Sequence, residues 1–217
     1  MVYQRTAPSN NLPSALPIMA RMRLRLLVTK LLLLAMLPLL LLSRGSYPEG
    51  YFMDTILAAT GLTLLLLAAG GRIWASLYLS GRKNSELVTE GPYSLVRNPL
   101  YLFSFIGFLG AGLVFESIVL ALLMAGIFAV GHWPTMRKEE EDLRRIFGKA
   151  YEDYAQRVPR FIPRIGPVRR PSEVSVKTVA FSMALREAGL IPMVFVVAHV
   201  LEWAKIVELI PVLIVLP

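Results

Sequence analysis

The chain has no cysteine. That single absence removes disulfides and thiolate metal sites. Histidine is nearly absent too: His132 and His199 are the only two, far apart in sequence, and offer no basis for a histidine metal site. No G-x-G-x-x-G follows a strand-like run, which excludes a Rossmann-type nucleotide domain. Acidic residues are outnumbered by basic ones, 15 to 23, leaving a formal net charge of +8. Such a charge suits nucleic acid in principle, so its placement along the chain has to decide.

What is abundant is apolar. Of 217 residues, 55% are hydrophobic, and the mean hydropathy is +0.58. A soluble domain of this size is rarely so apolar, so the composition points to an all-α membrane protein. Four segments have the length and character of spanning helices, which need about 20 apolar residues. They run over about 24–43 ("LLLLAMLPLLLLS"), 52–80, 99–114 and 117–133, the last two joined by the short link "FES". The second is longer than a span requires, so its end projects from the bilayer.

The charges follow this layout. Arg5, Arg21, Arg23, Arg25 and Lys30 precede or open the first span, and Arg82, Lys83 and Arg97 fall in the second loop. The first loop holds only Arg44, the third holds no basic residue, and a dense basic region runs from Arg137 to Arg186. The positive-inside rule places the N-terminus, the second loop and the chain after residue 135 in the cytoplasm. Topology therefore accounts for the +8 without nucleic acid. The first apolar run is long for a signal peptide, and "SRGSYPEG" is a poor cleavage site, so a retained helix is the expectation.

Four regions follow: an N-terminal segment, 1–23; the spans, 24–135, with a connector at 81–98; a cytoplasmic helical piece, 136–164; and a tail, 165–217. In the tail, "EVSVKTVAFSMALREAG" reads as an amphipathic helix on the membrane surface. Residues 189–217 are apolar but carry Glu202, Lys205 and Glu208, and leave a fifth span, an interfacial helix and a homodimer contact all open. Glu202 and Lys205, three residues apart, are expected to pair along one face.

The polar chemistry gathers in two pieces. One is the connector "SELVTEGPYSLVRNPLYL"; the other is "MRKEEEDLRRIFGKAYEDYAQRVPRFIPR". In the second, Leu143, Ile146, Phe147, Ala150, Tyr151 and Tyr154 recur at helical spacing, with Gly148 in mid-helix where a ligand or neighbour could approach. The plain reading of "RKEEEDLRR" is a solvated helix with Glu140–Arg144 and Glu141–Arg145 pairs. The plain reading of the connector is a turn whose prolines stop one helix and start the next.

Taken together and in order, "LVTEGPYSLVRNPLYL", a helical hairpin and "EE…L…FG..Y..Y...VPR" resemble the isoprenylcysteine carboxyl methyltransferase and phospholipid methyltransferase group. These are integral membrane enzymes that use S-adenosylmethionine. The resemblance covers about residues 80–164 and implies a cofactor pocket closed by the two polar pieces. Position by position it implies cofactor contacts for Leu87, Val88, Tyr93, Arg97, Asn98, Pro99 and Tyr101, and for the paired Glu139 and Glu140. Catalytic candidates are Glu139, Glu140, Asn98 and Arg137, the last as the arginine some members place before the glutamates. Tyr151, Tyr154 and Arg160 match the later motif as pocket wall or packing. Asn98 stands where the isoprenylcysteine branch has histidine; it hydrogen-bonds but does not titrate near neutrality.

The chemistry fits these residue types. Acidic and aromatic groups suit a cationic methyl donor, and a carboxylate acceptor needs no general base. The expected activity is carboxyl O-methylation of a lipid-like or prenylated substrate entering from the bilayer. Head-group N-methylation, a non-catalytic scaffold and a sterol-reductase-like relative are the alternatives. Gly107, Gly110 and Gly112 read as helix-packing glycines. Trp133 reads as an interfacial anchor, with His132 beside it within possible reach of the pocket.

Overall fold

The computed structural model describes residues 31–32, 34–46, 52–82 and 85–217. The N-terminal segment, its arginines, the start of the first span and Lys83 lie outside the described residues. The first span is represented by helical residues 34–42 (α1). Then come α2 (Phe52–Leu79), a 3-10 turn (Gly91–Ser94), α3 (Pro99–Leu113), α4 (Ile118–Phe147) and α5 (Lys149–Arg157), followed by α6 (Thr178–Leu190) and α7 (Met193–Ile206). Among the described residues the fold is helical apart from one short parallel pair, β1 (Ser43–Gly45) with β2 (Ile214–Leu216).

Among the described residues, three helices are long and apolar enough to cross a membrane: α2, α4 and the combined α6–α7 over Thr178–Ile206. The last takes in most of the stretch 173–189 that the sequence suggests as a surface helix. The stretch at 178–190 packs along α2 and continues past a turn at Ile191–Pro192 into α7, Pro192 being unable to supply the helical N–H. Near its start, the Ser80 hydroxyl at the end of α2 donates to the Lys177 carbonyl. Near its finish, Lys205 donates to the Leu40 and Ser43 carbonyls at the other end of the molecule. The pair α6–α7 thus runs antiparallel to α2 through the same thickness.

Helix α3 has 15 residues, about 22 Å at 1.5 Å per residue, and is shorter than the other spans. It packs closely on α2 because glycines face each other. A Cβ on Gly110 would sit 2.8 Å from the Gly61 carbonyl oxygen and 3.0 Å from the Leu65 amide nitrogen. Helix α4 has 30 residues and passes through Pro134 without stopping. At about 45 Å it exceeds a hydrocarbon core of about 30 Å. The fourth span and the glutamate piece are therefore one rod, not two elements.

That rod ends at Phe147, because Gly148 takes φ +52° and starts α5. Gly148 is thus a break between helices, and no atom lies within 4 Å of where its Cβ would be. The reading of it as a mid-helix point of close approach is corrected. Tyr151, Tyr154 and Val158 on α5 and beyond form a buried cluster with Leu87, Leu143, Phe147 and Ala155. Ile146 and Ala150 are exposed.

Candidate active site

The two polar pieces meet. The Arg97 amide donates to the Pro159 carbonyl at 2.8 Å, Arg164 donates its amide to the Leu95 carbonyl, and Gly91 donates to the Arg169 carbonyl. The Tyr154 hydroxyl donates to the Tyr93 carbonyl at 2.8 Å. Connector and "VPRFIPR" segment are thereby laced together at the end of α4. Gly91 makes the lacing possible: it has φ +57°, and a Cβ there would strike the Tyr78 ring at 2.5 Å.

At the centre of this knot is Glu140, 3% exposed. Asn98 donates to its Oε1 at 2.6 Å, while Arg160 (2.9 Å) and Arg97 (3.3 Å) reach its Oε2. The Asn98 amide also donates to the Arg160 carbonyl at 3.2 Å. One carboxylate thus ties together the connector, α4 and the segment after α5. The Glu140–Arg144 helix pair expected from sequence gives way to these partners, and Arg145 pairs with Asp142 instead of Glu141. The reason is burial: a carboxylate removed from water needs short, charged partners that an exposed i,i+4 arginine does not provide.

Successive helical residues point about 100° apart, so Glu139 faces elsewhere. It lines a cavity of about 520 Å³ together with Leu87, Val88, Tyr93, Arg97, Asn98, Pro99 and Tyr101. Tyr101 lies near Glu139 on the same lining. Tyr93 is buried beside Tyr154 and Glu139, and burial first, then those neighbours, hold its hydroxyl well above the usual tyrosine range. Burial likewise raises Tyr154, so both rings stay neutral at any working pH. Tyr151 and Tyr154 belong to the wall as well. Two polar atoms here, Arg97 Nε and the Tyr151 hydroxyl, are buried without a hydrogen-bond partner among the described residues.

Two candidates fall outside the lining. Arg137 is exposed on α4 and does not border the cavity. Glu140 sits behind the wall and holds it together. Conversely, the cavity takes in residues that sequence reading passed over: Arg72, Ser104, Lys138 and Asp142, with His132 reaching it from α4. Arg72 donates to the Ser104 hydroxyl at 2.6 Å and to Glu187 at 3.3 Å. A signal for Arg72 was present, since a lone arginine inside an apolar span is a functional candidate by default. His132 stacks on Phe128 at 4.4 Å and meets Tyr101 and Phe108 edge-on.

A membrane helix bundle whose cavity joins this connector to this glutamate helix defines a class. The chain belongs to the isoprenylcysteine carboxyl methyltransferase and phospholipid methyltransferase group of membrane proteins. A family model described as phospholipid methyltransferase matches residues 55–150. The chain is similar to a nickel-cobalt-cadmium resistance protein of Alcaligenes xylosoxydans xylosoxydans, with 35% identity over 82% of this chain and 83% of that protein. It is also similar to the protein-S-isoprenylcysteine O-methyltransferase of Schizosaccharomyces pombe, with 33% identity over 46% of this chain and 42% of the enzyme. The methanethiol S-methyltransferase of Crocosphaera subtropica is 34% identical over 42% of this chain and 35% of that enzyme. No solved structure matches the chain. Membership of the family implies a methyl donor.

Proposed function

We propose that this protein is an S-adenosylmethionine-dependent methyltransferase acting on the carboxylate of a lipid-like amphiphile, with its active site on the cytoplasmic side. The observation that carries the reading is the cavity itself. It gathers three acidic residues (Glu86, Glu139 and Asp142), four tyrosines and two unpartnered buried polar atoms in about 520 Å³, within the usual size of a small-molecule site.

These residues fit the cofactor by type. Glu139 suits the ammonium of its amino-acid end, and Arg97 Nε and the Tyr151 hydroxyl suit the carboxylate beside it. The faces of Tyr93 and Tyr101 suit a positive centre. Leu87, Val88 and Pro99 supply apolar wall. When bound, S-adenosylmethionine supplies a methyl group already activated on a sulfonium. The task left to this chain is alignment and exclusion of water. Arg72, held by Ser104, offers a cation to an acceptor carboxylate, and such an acceptor has no proton to lose. Asn98 in place of histidine is compatible with that chemistry, since its amide is committed to Glu140 and Arg160 as a brace.

The family-model match favours a second acceptor, a phospholipid amine. Glu139 would then take the proton. Similarity to a protein named for metal resistance does not move the reading towards metal ligation. No group of three or more His, Asp or Glu residues able to hold an ion occurs among the described residues.

Calorimetry of the detergent-solubilised protein with S-adenosylmethionine, set against NADPH, tests the reading. Binding of the methyl donor alone is expected; absence of that binding sinks it. Labelled methyl transfer into a lipid extract then separates the acceptors, because a carboxyl ester releases its label in base and a methylamine retains it.

A further inference from the structure

The strap that follows α5, behind the cavity wall, carries two isoleucines with nothing to pack on. Ile162 is 79% exposed and Ile165 fully exposed. They are not the tip of a loose loop. The strap is tied on both sides of them: the Arg97 amide to the Pro159 carbonyl, the Arg164 amide to the Leu95 carbonyl, and the Arg169 amide to the Ser94 hydroxyl. Arg164 Nε adds a bond to the Ser94 carbonyl at 3.0 Å, and Pro159, Pro163 and Pro167 deny it helical structure. The isoleucines are held outward.

The level at which they are held is set by Phe161. Its ring meets Trp133 at 6.2 Å and Phe105 at 5.6 Å, and both partners lie on membrane helices. Trp133 is itself partly exposed at the end of the apolar half of α4, the position at which tryptophan marks a membrane interface. The charge around the isoleucines has one sign. From residue 157 to residue 171 the chain has five arginines and no acidic residue, and Arg157, Arg164, Arg169 and Arg170 are exposed.

We infer that residues 161–170 are an interfacial membrane contact: Ile162 and Ile165 insert among the acyl chains, and the exposed arginines bind anionic phospholipid head groups of the leaflet on the cavity's side. Apolar side chains with flanking arginines are the two halves of such a contact. The same strap supplies Arg160 to Glu140, so the lipid contact and the brace behind the cavity wall are one piece of chain. This inference stands whether or not the protein transfers methyl groups.

The absence of cysteine makes the test clean. Single-cysteine variants Ile162→Cys and Ile165→Cys carry a fluorophore, in nanodiscs of phosphatidylcholine with or without about a quarter of phosphatidylglycerol. Val130→Cys, exposed on the apolar part of α4, calibrates lipid, and Gln156→Cys, exposed on α5, calibrates water. Labels at 162 and 165 are expected to be quenched by nitroxide lipids and shielded from aqueous iodide, like the label at 130. In the anionic discs the ratio of lipid to aqueous quenching should rise. Arg169→Gln with Arg170→Gln should cut that rise by about fivefold per arginine. Labels at 162 and 165 that behave like the one at 156 would overturn the contact. A ratio identical in both lipids would overturn the role of the arginines.

Discussion

The molecule has a buried charged knot at each end, and they are built differently. At the cavity end, Glu140 is held by Arg97, Arg160 and Asn98. At the far end, Lys205 is buried with its ammonium on the Leu40 carbonyl, the Ser43 carbonyl and Glu202 at 2.8 Å. Lysine has three N–H donors, and here all three are used. The far knot is saturated, and it pins α7 to β1 beside the β1–β2 pair. The cavity knot is not: Arg97 turns one face to Glu140 and leaves Nε unpartnered, next to an unpartnered Tyr151 hydroxyl. What separates the candidate site from the far knot is polar capacity left over at a cavity wall.

Four substitutions break or sharpen this contrast, beginning with the largest effect. Glu140→Ala strands two arginines behind the cavity wall and should cost about 3–5 kcal/mol, seen as a fall in Tm of about 10 °C. Cofactor binding should vanish with it, since connector and strap lose their common tie. Lys205→Ala should cost about 3 kcal/mol by leaving Glu202 and two carbonyls without their donor. Cofactor affinity of the folded protein should be unchanged, and an altered affinity would mean that the two ends are coupled. Glu139→Gln reverses the pattern. Stability should stay within about 1 kcal/mol of the parent, while calorimetric affinity for S-adenosylmethionine drops about 10- to 100-fold.

The smallest effect is a pH slope. Glu116 lies in the link between α3 and α4, where burial, then Asp54 and Glu202, push its carboxyl from 4.5 up to about 8 against the pull of Arg44. Between those values the folded protein keeps a proton that the unfolded chain has released. Its contribution to stability is therefore greatest below about pH 4.5, declines as pH rises and levels off above about 8. Glu116→Gln should flatten the dependence of Tm on pH across that window. A slope that survives the substitution would assign it to another group.

Some of this was plain in the residues. The apolar runs at 52–80 and 117–133 became α2 and the apolar half of α4, and the Glu202–Lys205 spacing became an ion pair. The connector prolines did start helices, with Pro99 as the first residue of α3. Other features were hidden because they depend on which way a side chain turns once neighbours close in. Two adjacent glutamates look equivalent in sequence; on the helix one lines the cavity and the other is buried behind it. Residues 178–190 carry enough polarity to pass for a surface helix. The Arg72–Glu187 contact pairs part of that charge at the surface of the bundle. Gly148 looked like a packing glycine and proved to be the positive-φ break that turns α5 back onto the connector.

By itself, the sequence determined that the chain is a helical membrane protein with two polar pieces of one methyltransferase family, because hydropathy, charge placement and motif order are local properties. Only the tertiary structure decided that Glu140 braces while Glu139 faces the cavity, that Arg72 reaches in from a span, and that the tail crosses the bundle. Those outcomes rest on contacts between residues 20 to 165 positions apart. Such contacts form only when burial forces each charge to find a partner.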